Sequence, residues 1–137
     1  MVEEEDYKEK YLRALADYDN LVKRTANDRM AFVKYANEGV ILEVLEVLDD
    51  LEAAEGHIKD NGLTLIIKKL KNLLNKNGVM EIEIGEKFDP LTMECIETVD
   101  GEEEGMTVIN KGYRLNEKVI RPTKVKVVNK IQNSNNK

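Results

Sequence analysis

The 137-residue chain is poor in the side chains that carry chemistry. It has one histidine, His57, one cysteine, Cys95, and no tryptophan. Its one serine, Ser134, lies in the polar tail Asn133–Lys137, which is expected to fray. A Ser–His–Asp triad would have to recruit that tail serine. A Cys/His zinc site lacks ligands. One cysteine cannot form a disulfide within the chain, so nothing argues for an oxidising compartment. No apolar run approaches the roughly 18 residues of a membrane span. The N-terminus, Met1-Val2-Glu3-Glu4-Glu5-Asp6, is acidic, unlike the basic start of a signal peptide. The expectation is a cytoplasmic protein with no membrane partner. It is not an enzyme, it needs no cofactor or metal, and it works by contact.

What the chain has in quantity is charge. Asp, Glu, Lys and Arg make up 35% of it, against roughly 25% in an ordinary globular chain. The net charge is −6. From Lys111 onward, eight basic residues (Lys111, Arg114, Lys118, Arg121, Lys124, Lys126, Lys130, Lys137) face one acidic residue, Glu117, a local charge of +7. The remainder is therefore close to −13. Such asymmetry suits a basic patch for an acidic protein partner or for nucleic acid. The overall acidity weighs against nucleic acid, because dedicated binders are usually basic.

Residues 4–36 read as one long helix, free of Gly and Pro and rich in helix formers. Tyr11, Leu15, Tyr18, Val22, Thr25, Arg29, Phe32 and Ala36 alternate at spacings of four and three, the 3.5-residue period of a coiled-coil seam. Thr25 and Arg29 interrupt the stripe. A helix of about 33 residues spans about 50 Å, so it is expected to bury its seam against a second copy. After Gly39, a second helix of roughly 39–55 carries a broader apolar face that includes Val44, Leu48 and Leu51. Gly56–Gly62 reads as a loop. A third helix carrying Ile66 and Leu70 closes at Asn77-Gly78, a left-handed C-cap. Two such hairpins, one per chain, would make a four-helix bundle.

Beyond Gly78 the period falls to two. Val79–Ile84, Cys95–Val99, Met106–Leu115, Lys118–Arg121 and Lys124–Val128 read as strands, with turns at Phe88-Asp89-Pro90 and Asn116-Glu117. The acidic stretch Asp100–Gly105 reads as a loop, solvated rather than cation-binding because it lacks calcium-loop spacing. The fold class is α+β. The organisation is a dimerising helix over 1–38, a helical hairpin over 39–78, a small β domain over 79–131 and a flexible tail over 132–137. His57 reads as a surface histidine, Cys95 as a buried thiol among apolar residues, and Asp89 as a turn former. Lys23 and Arg24 read as a solvated or contact-making pair on the long helix.

Two stretches then become familiar. Phe88-Asp89-Pro90-Leu91-Thr92-Met93-Glu94-Cys95-Ile96 and Gly112-Tyr113-Arg114-Leu115-Asn116-Glu117-Lys118-Val119-Ile120-Arg121-Pro122-Thr123-Lys124-Val125-Lys126-Val127 resemble the GrpE signature. Its pattern is F-D-P-x-x-M/H-x-A, then G-Y-x-L-x-x-x-x-I/L-R-P-A-x-V-x-V. Asp17–Arg24 is similar to the family's E-x-E-N-x-x-K/R-R stretch, and Gly62 and Gly78 match in order and spacing. The resemblance runs from about residue 7 to 129. Cys95 and Thr123 stand where the family usually has alanine or another small residue, and Asp17 and Asp19 are shorter than the usual Glu.

The resemblance implies a parallel homodimer with a paired helix, a four-helix bundle and a β-wing on each subunit. It implies a co-chaperone that grips the ATPase domain of a DnaK-type chaperone, opens its nucleotide cleft and accelerates ADP release. A partner that prefers the open state must lower ADP affinity by the same factor, and a coupling of roughly 3 kcal/mol is about 150-fold. Carried over by motif, the chaperone-binding residues are Phe88, Pro90, Ile109, Lys118, Arg121 and Val127 on the wing, with Lys23 and Arg24 on the helix. Arg121 could equally brace the wing internally. Gly112 is expected to supply a positive φ. Dimerisation falls to Tyr11, Leu15, Tyr18, Val22, Phe32, Val44, Leu48, Leu51, Ile66 and Leu70. Melting of the long helix would make the protein a thermosensor. The rival reading is a coiled-coil holdase or assembly adaptor that binds unfolded clients directly.

Overall fold

The computed structural model describes residues 2–131. Ser134 and the tail over 132–137 lie outside the described residues. The chain divides into two compact units, 1–37 and 38–137.

The first unit is a single helix, α1 (Val2–Tyr35). Glu3, Glu4 and Glu5 in its first turn and Lys34 in its last oppose the helix dipole favourably. No residue of α1 is buried. The expected stripe stands open to solvent: Tyr11, Leu15, Tyr18, Val22 and Phe32 are all exposed.

The second unit begins with α2 (Glu38–His57) and α3 (Asn61–Lys76). α2 runs through Gly56 and His57, so the loop is shorter than the glycines suggest. Asp60 caps α3, its side chain accepting a 2.7 Å hydrogen bond from Gly62 N. At the other end Gly78 takes φ +85°, and Asn77 N bonds to Leu73 O and Leu74 O. This is the left-handed stop that Asn-Gly encodes.

Six strands follow: β1 (Val79–Glu81), β2 (Met93–Gly101), β3 (Gly105–Asn110), β4 (Tyr113–Leu115), β5 (Lys118–Arg121) and β6 (Thr123–Lys130). They form two three-stranded sheets, β1-β4-β5 and β2-β6-β3. The first is antiparallel throughout. Asn116, at φ +55°, turns β4 into β5, a conformation asparagine tolerates. In the second, β6 pairs in parallel with β2 and antiparallel with β3. The chain changes sheet between β1 and β2, at Lys111-Gly112 and again at Pro122.

The core of the unit combines Ile41, Leu45 and Leu48 of α2, Ile67 and Leu74 of α3, and Val79, Tyr113, Leu115 and Val125 of the strands. Asp89 builds its turn as expected, accepting from Leu91 N at 3.0 Å through Oδ1 and from Met93 N at 2.8 Å through its carbonyl.

Two expectations need correction. Cys95 is exposed, not buried. It lies on β2, an edge strand of the β2-β6-β3 sheet, just before a register slip between Cys95 and Glu97. Its Sγ lies 3.4 Å from Glu97 O and from Thr98 Oγ1. Gly112 does not have a positive φ; of the described glycines only Gly78 does. Glycine is required at 112 because a Cβ there would collide with Thr123 N and Oγ1 and stand 2.9 Å from Arg121 O.

Candidate functional site

Three acids on α2 meet the cations of the β segment. Glu38, Asp49 and Glu52 are separated by 11 and 3 residues, close to three turns and one, so they share one stripe of the helix. Lys118 Nζ on β5 lies 2.8 Å from Glu38 Oε2. The Arg121 guanidinium forks onto Asp49, with Nη1 2.6 Å from Oδ2 and Nη2 2.9 Å from Oδ1. Arg121 Nε donates to Lys111 O at 2.9 Å, and the guanidinium carbon stands 5.1 Å from the Tyr113 ring centre. Lys111 Nζ reaches Glu52 Oε2 at 3.0 Å and Glu81 Oε1 at 3.8 Å, while Lys71 of α3 holds Glu52 Oε1 at 2.9 Å.

These links differ in worth. The Arg121 side chain is only 12% exposed and bidentate, the geometry in which an arginine pair is strong. The Lys118 side chain is 52% exposed, and pairs of that kind contribute about 0–1 kcal/mol. Burial alone would raise the Glu52 carboxyl, but hydrogen bonds and charge from Lys71 and Lys111 outweigh it and hold it below the usual value. Burial would likewise lower Lys111, yet Glu52, Glu81 and Asp49 raise it. Burial pushes the Tyr113 hydroxyl up, with Glu52 and Glu81 adding to the rise, so it stays neutral.

Part of the basic character of the C-terminal segment is thus matched by nearby acids. Besides these pairs, Lys126 Nζ lies 3.7 Å from Glu97, and Lys124 sits beside Glu94 in the β2–β6 register.

The motif residues fall into groups. Phe88 and Val127 both line a cleft of about 520 Å³, with Glu86, Lys87, Glu104, Gly105 and Met106. Pro90 is exposed at the Asp89 turn, and Ile109 is exposed near the end of β3. Lys118 and Arg121 both belong to β5 and both engage α2. Lys23 and Arg24 are exposed on α1, in the other unit. Of the stripe positions in the second unit, Leu48 is fully buried by its own chain, Val44, Leu51 and Leu70 are half-buried, and Ile66 is exposed. Asp49 and Glu52 were not marked by sequence reasoning, and Tyr113 was marked only as part of the motif. The acid spacing on α2 was the available signal. Among the described residues, no cluster of three or more His, Cys, Asp or Glu could hold a metal ion, and no helix is long and apolar enough to cross a membrane.

A long helix with an exposed apolar stripe, a helical hairpin and a two-sheet β segment with a Phe88-lined cleft make up an α+β architecture. The GrpE family profile matches residues 2–129, and the chain belongs to that family. It is 44% identical over 135 residues to "Protein GrpE" of Methanosphaera stadtmanae, covering 92% of this chain and 78% of that one. "Protein GrpE" of Sulfurovum sp. is 38% identical over 138 residues, with 88% and 75% covered. "Protein GrpE" of Methanothermobacter thermautotrophicus is 38% identical over 132 residues, with 91% and 76% covered.

Proposed function

We propose that the chain acts as a homodimer that binds the ATPase domain of a DnaK-type chaperone, favours its open nucleotide cleft and so accelerates ADP release. The supporting observation is that family similarity spans both the α1 stripe and the strand-rich half, so the dimerising and gripping parts occur together. Phe88, Pro90, Ile109 and Val127 supply the apolar contacts on the wing, and Lys23 and Arg24 of α1 supply charge. The α1 stripe, with no buried residue of its own, pairs with that of a second copy. Because that seam is interrupted at Thr25 and Arg29, it separates on heating before the second unit melts, and exchange falls with it.

The test is release of a fluorescent ADP analogue from a DnaK-type chaperone. Wild-type protein is expected to speed release. Phe88→Ala plus Ile109→Ala removes two exposed side chains from the grip and is expected to raise the concentration needed at least tenfold, as loss of interface anchors does. Unaltered release with the wild type, together with suppressed client aggregation in the absence of any chaperone, would establish the holdase reading instead.

A further inference from the structure

Resting on the exchange reading, we infer that Arg121 is a positioning residue: it acts through Asp49 to fix the β1-β4-β5 sheet on α2, and does not itself touch the chaperone. The guanidinium has little left to offer a partner. Nη1 and Nη2 are engaged by the two Asp49 oxygens, Nε by the Lys111 carbonyl, and one face lies over Tyr113. Only 12% of its side chain is exposed.

Its contacts join four places in the chain: α2, β5, the Lys111-Gly112 crossing and β4. Glu52–Lys111 on one side and Glu38–Lys118 on the other extend the same row of pairs along α2. The row meets the sheet along its β5 edge and at the crossing into β4. The β1-β4-β5 sheet runs into the strands that carry Ile109 and Val127 at Lys111-Gly112 and at Pro122, so ion pairs that hold it on α2 also hold those strands; held loosely, they would turn without opening the cleft. The coupling between chaperone opening and wing binding then depends on Asp49 as much as on Arg121.

Asp49 supplies the discriminating experiment, because Asp49→Asn preserves shape and leaves Arg121 in place. Spin labels are placed at Lys69→Cys on α3 and Glu117→Cys on the β4–β5 turn, in a Cys95→Ser background and diluted with excess unlabelled chain. The distance distribution is measured without chaperone, and ADP release at saturating protein is measured in parallel. Asp49→Asn and Arg121→Gln are each expected to broaden the distribution and to lower the saturating release rate about fivefold or more. The double variant is expected to lose no more than the worse single one, since the two side chains act as a unit. The charge swap Asp49→Arg plus Arg121→Asp is expected to recover part of both signals.

Wild-type release with Asp49→Asn and loss with Arg121→Gln would overturn the inference and place Arg121 against the chaperone. A distance distribution unchanged in both variants would overturn it as well. Should Arg121→Gln not fold, Arg121→Lys keeps the charge but not the fork, and is expected to fall between wild type and Asp49→Asn. If the wild type does not speed release at all, the exchange reading fails, while the label distances still decide whether the clasp orients the sheet.

Discussion

Replacing Gly112 by alanine adds one methyl group at the crossing between the two sheets. That Cβ would stand 2.9 Å from Arg121 O, half an ångström inside the 3.4 Å at which ordinary contact begins, and closer still to Thr123 N and Oγ1. The obstacle is mostly backbone, so no side-chain rotation relieves it. Either β6 moves off or the Lys111-Gly112 crossing moves out. The hydrogen bonds Ile82 N to Gly112 O, at 2.9 Å, and Thr123 N to Thr92 O, at 3.0 Å, lie in the way of both. Overpacking costs about 1–3 kcal/mol and a disturbed hydrogen bond about 0.5–1.5, so a loss near 3 kcal/mol is expected. For a unit of about 100 residues that corresponds to a fall in Tm of roughly 10–20 °C. Thermal unfolding at fixed protein concentration measures it, since association would shift Tm by mass action. A Tm within about 3 °C of wild type would refute the steric reasoning.

Leu45 is 0% exposed, so Leu45→Ala is expected to cost about 2–5 kcal/mol in urea unfolding; a loss below about 1 kcal/mol would contradict its place in the core. Glu52 faces Lys71 of α3 and Lys111 at the crossing. Its carboxyl is held below the ordinary value, so its contribution is present above that value and lost as pH falls through the lowered one. Lys111 is raised, so its contribution is present below the ordinary lysine value and lost as pH rises through the raised one. Urea midpoints against pH should be flat between those limits, and Glu52→Gln should flatten the acid limb; an unchanged acid limb would exclude the pair as its source. On heating, the helical signal should fall reversibly before the second unit unfolds, and a single cooperative transition would count against separate melting of α1.

Much of the fold could be read locally. The Gly-free run became α1, and Asn77-Gly78 stopped α3 because only glycine adopts φ +85° cheaply. What escaped was everything decided by distant neighbours. Val79–Ile84 alternates to its end, yet the strand stops at Glu81, with one further bond from Ile82 N to Gly112 O, because β4 is only three residues long. Cys95 reads as core, but its strand lies at the edge of a sheet and slips register beside it. Gly112 was marked correctly for the wrong reason: its need for glycine comes from Thr123, brought against it only by tertiary folding. The motif picked out Phe88 and Val127, and the fold brings them to one cleft. Arg121 was singled out too, but its partner Asp49 lies 72 residues away, beyond the reach of any local pattern.

The place of β6 governs how this protein is made. β2 and β3 both pair with β6 in their sheet, and β6 is the last strand among the described residues. Neither neighbour can complete its ladder until Thr123–Lys130 has emerged, whereas the backbone hydrogen bonds of α1, α2 and α3 are all local. Parallel pairing of Met93 with Thr123 adds a long loop to be closed first. The helices therefore form early on the ribosome, while the unpaired edges of β2 and β3 stay open to aggregation until the final strand slots between them.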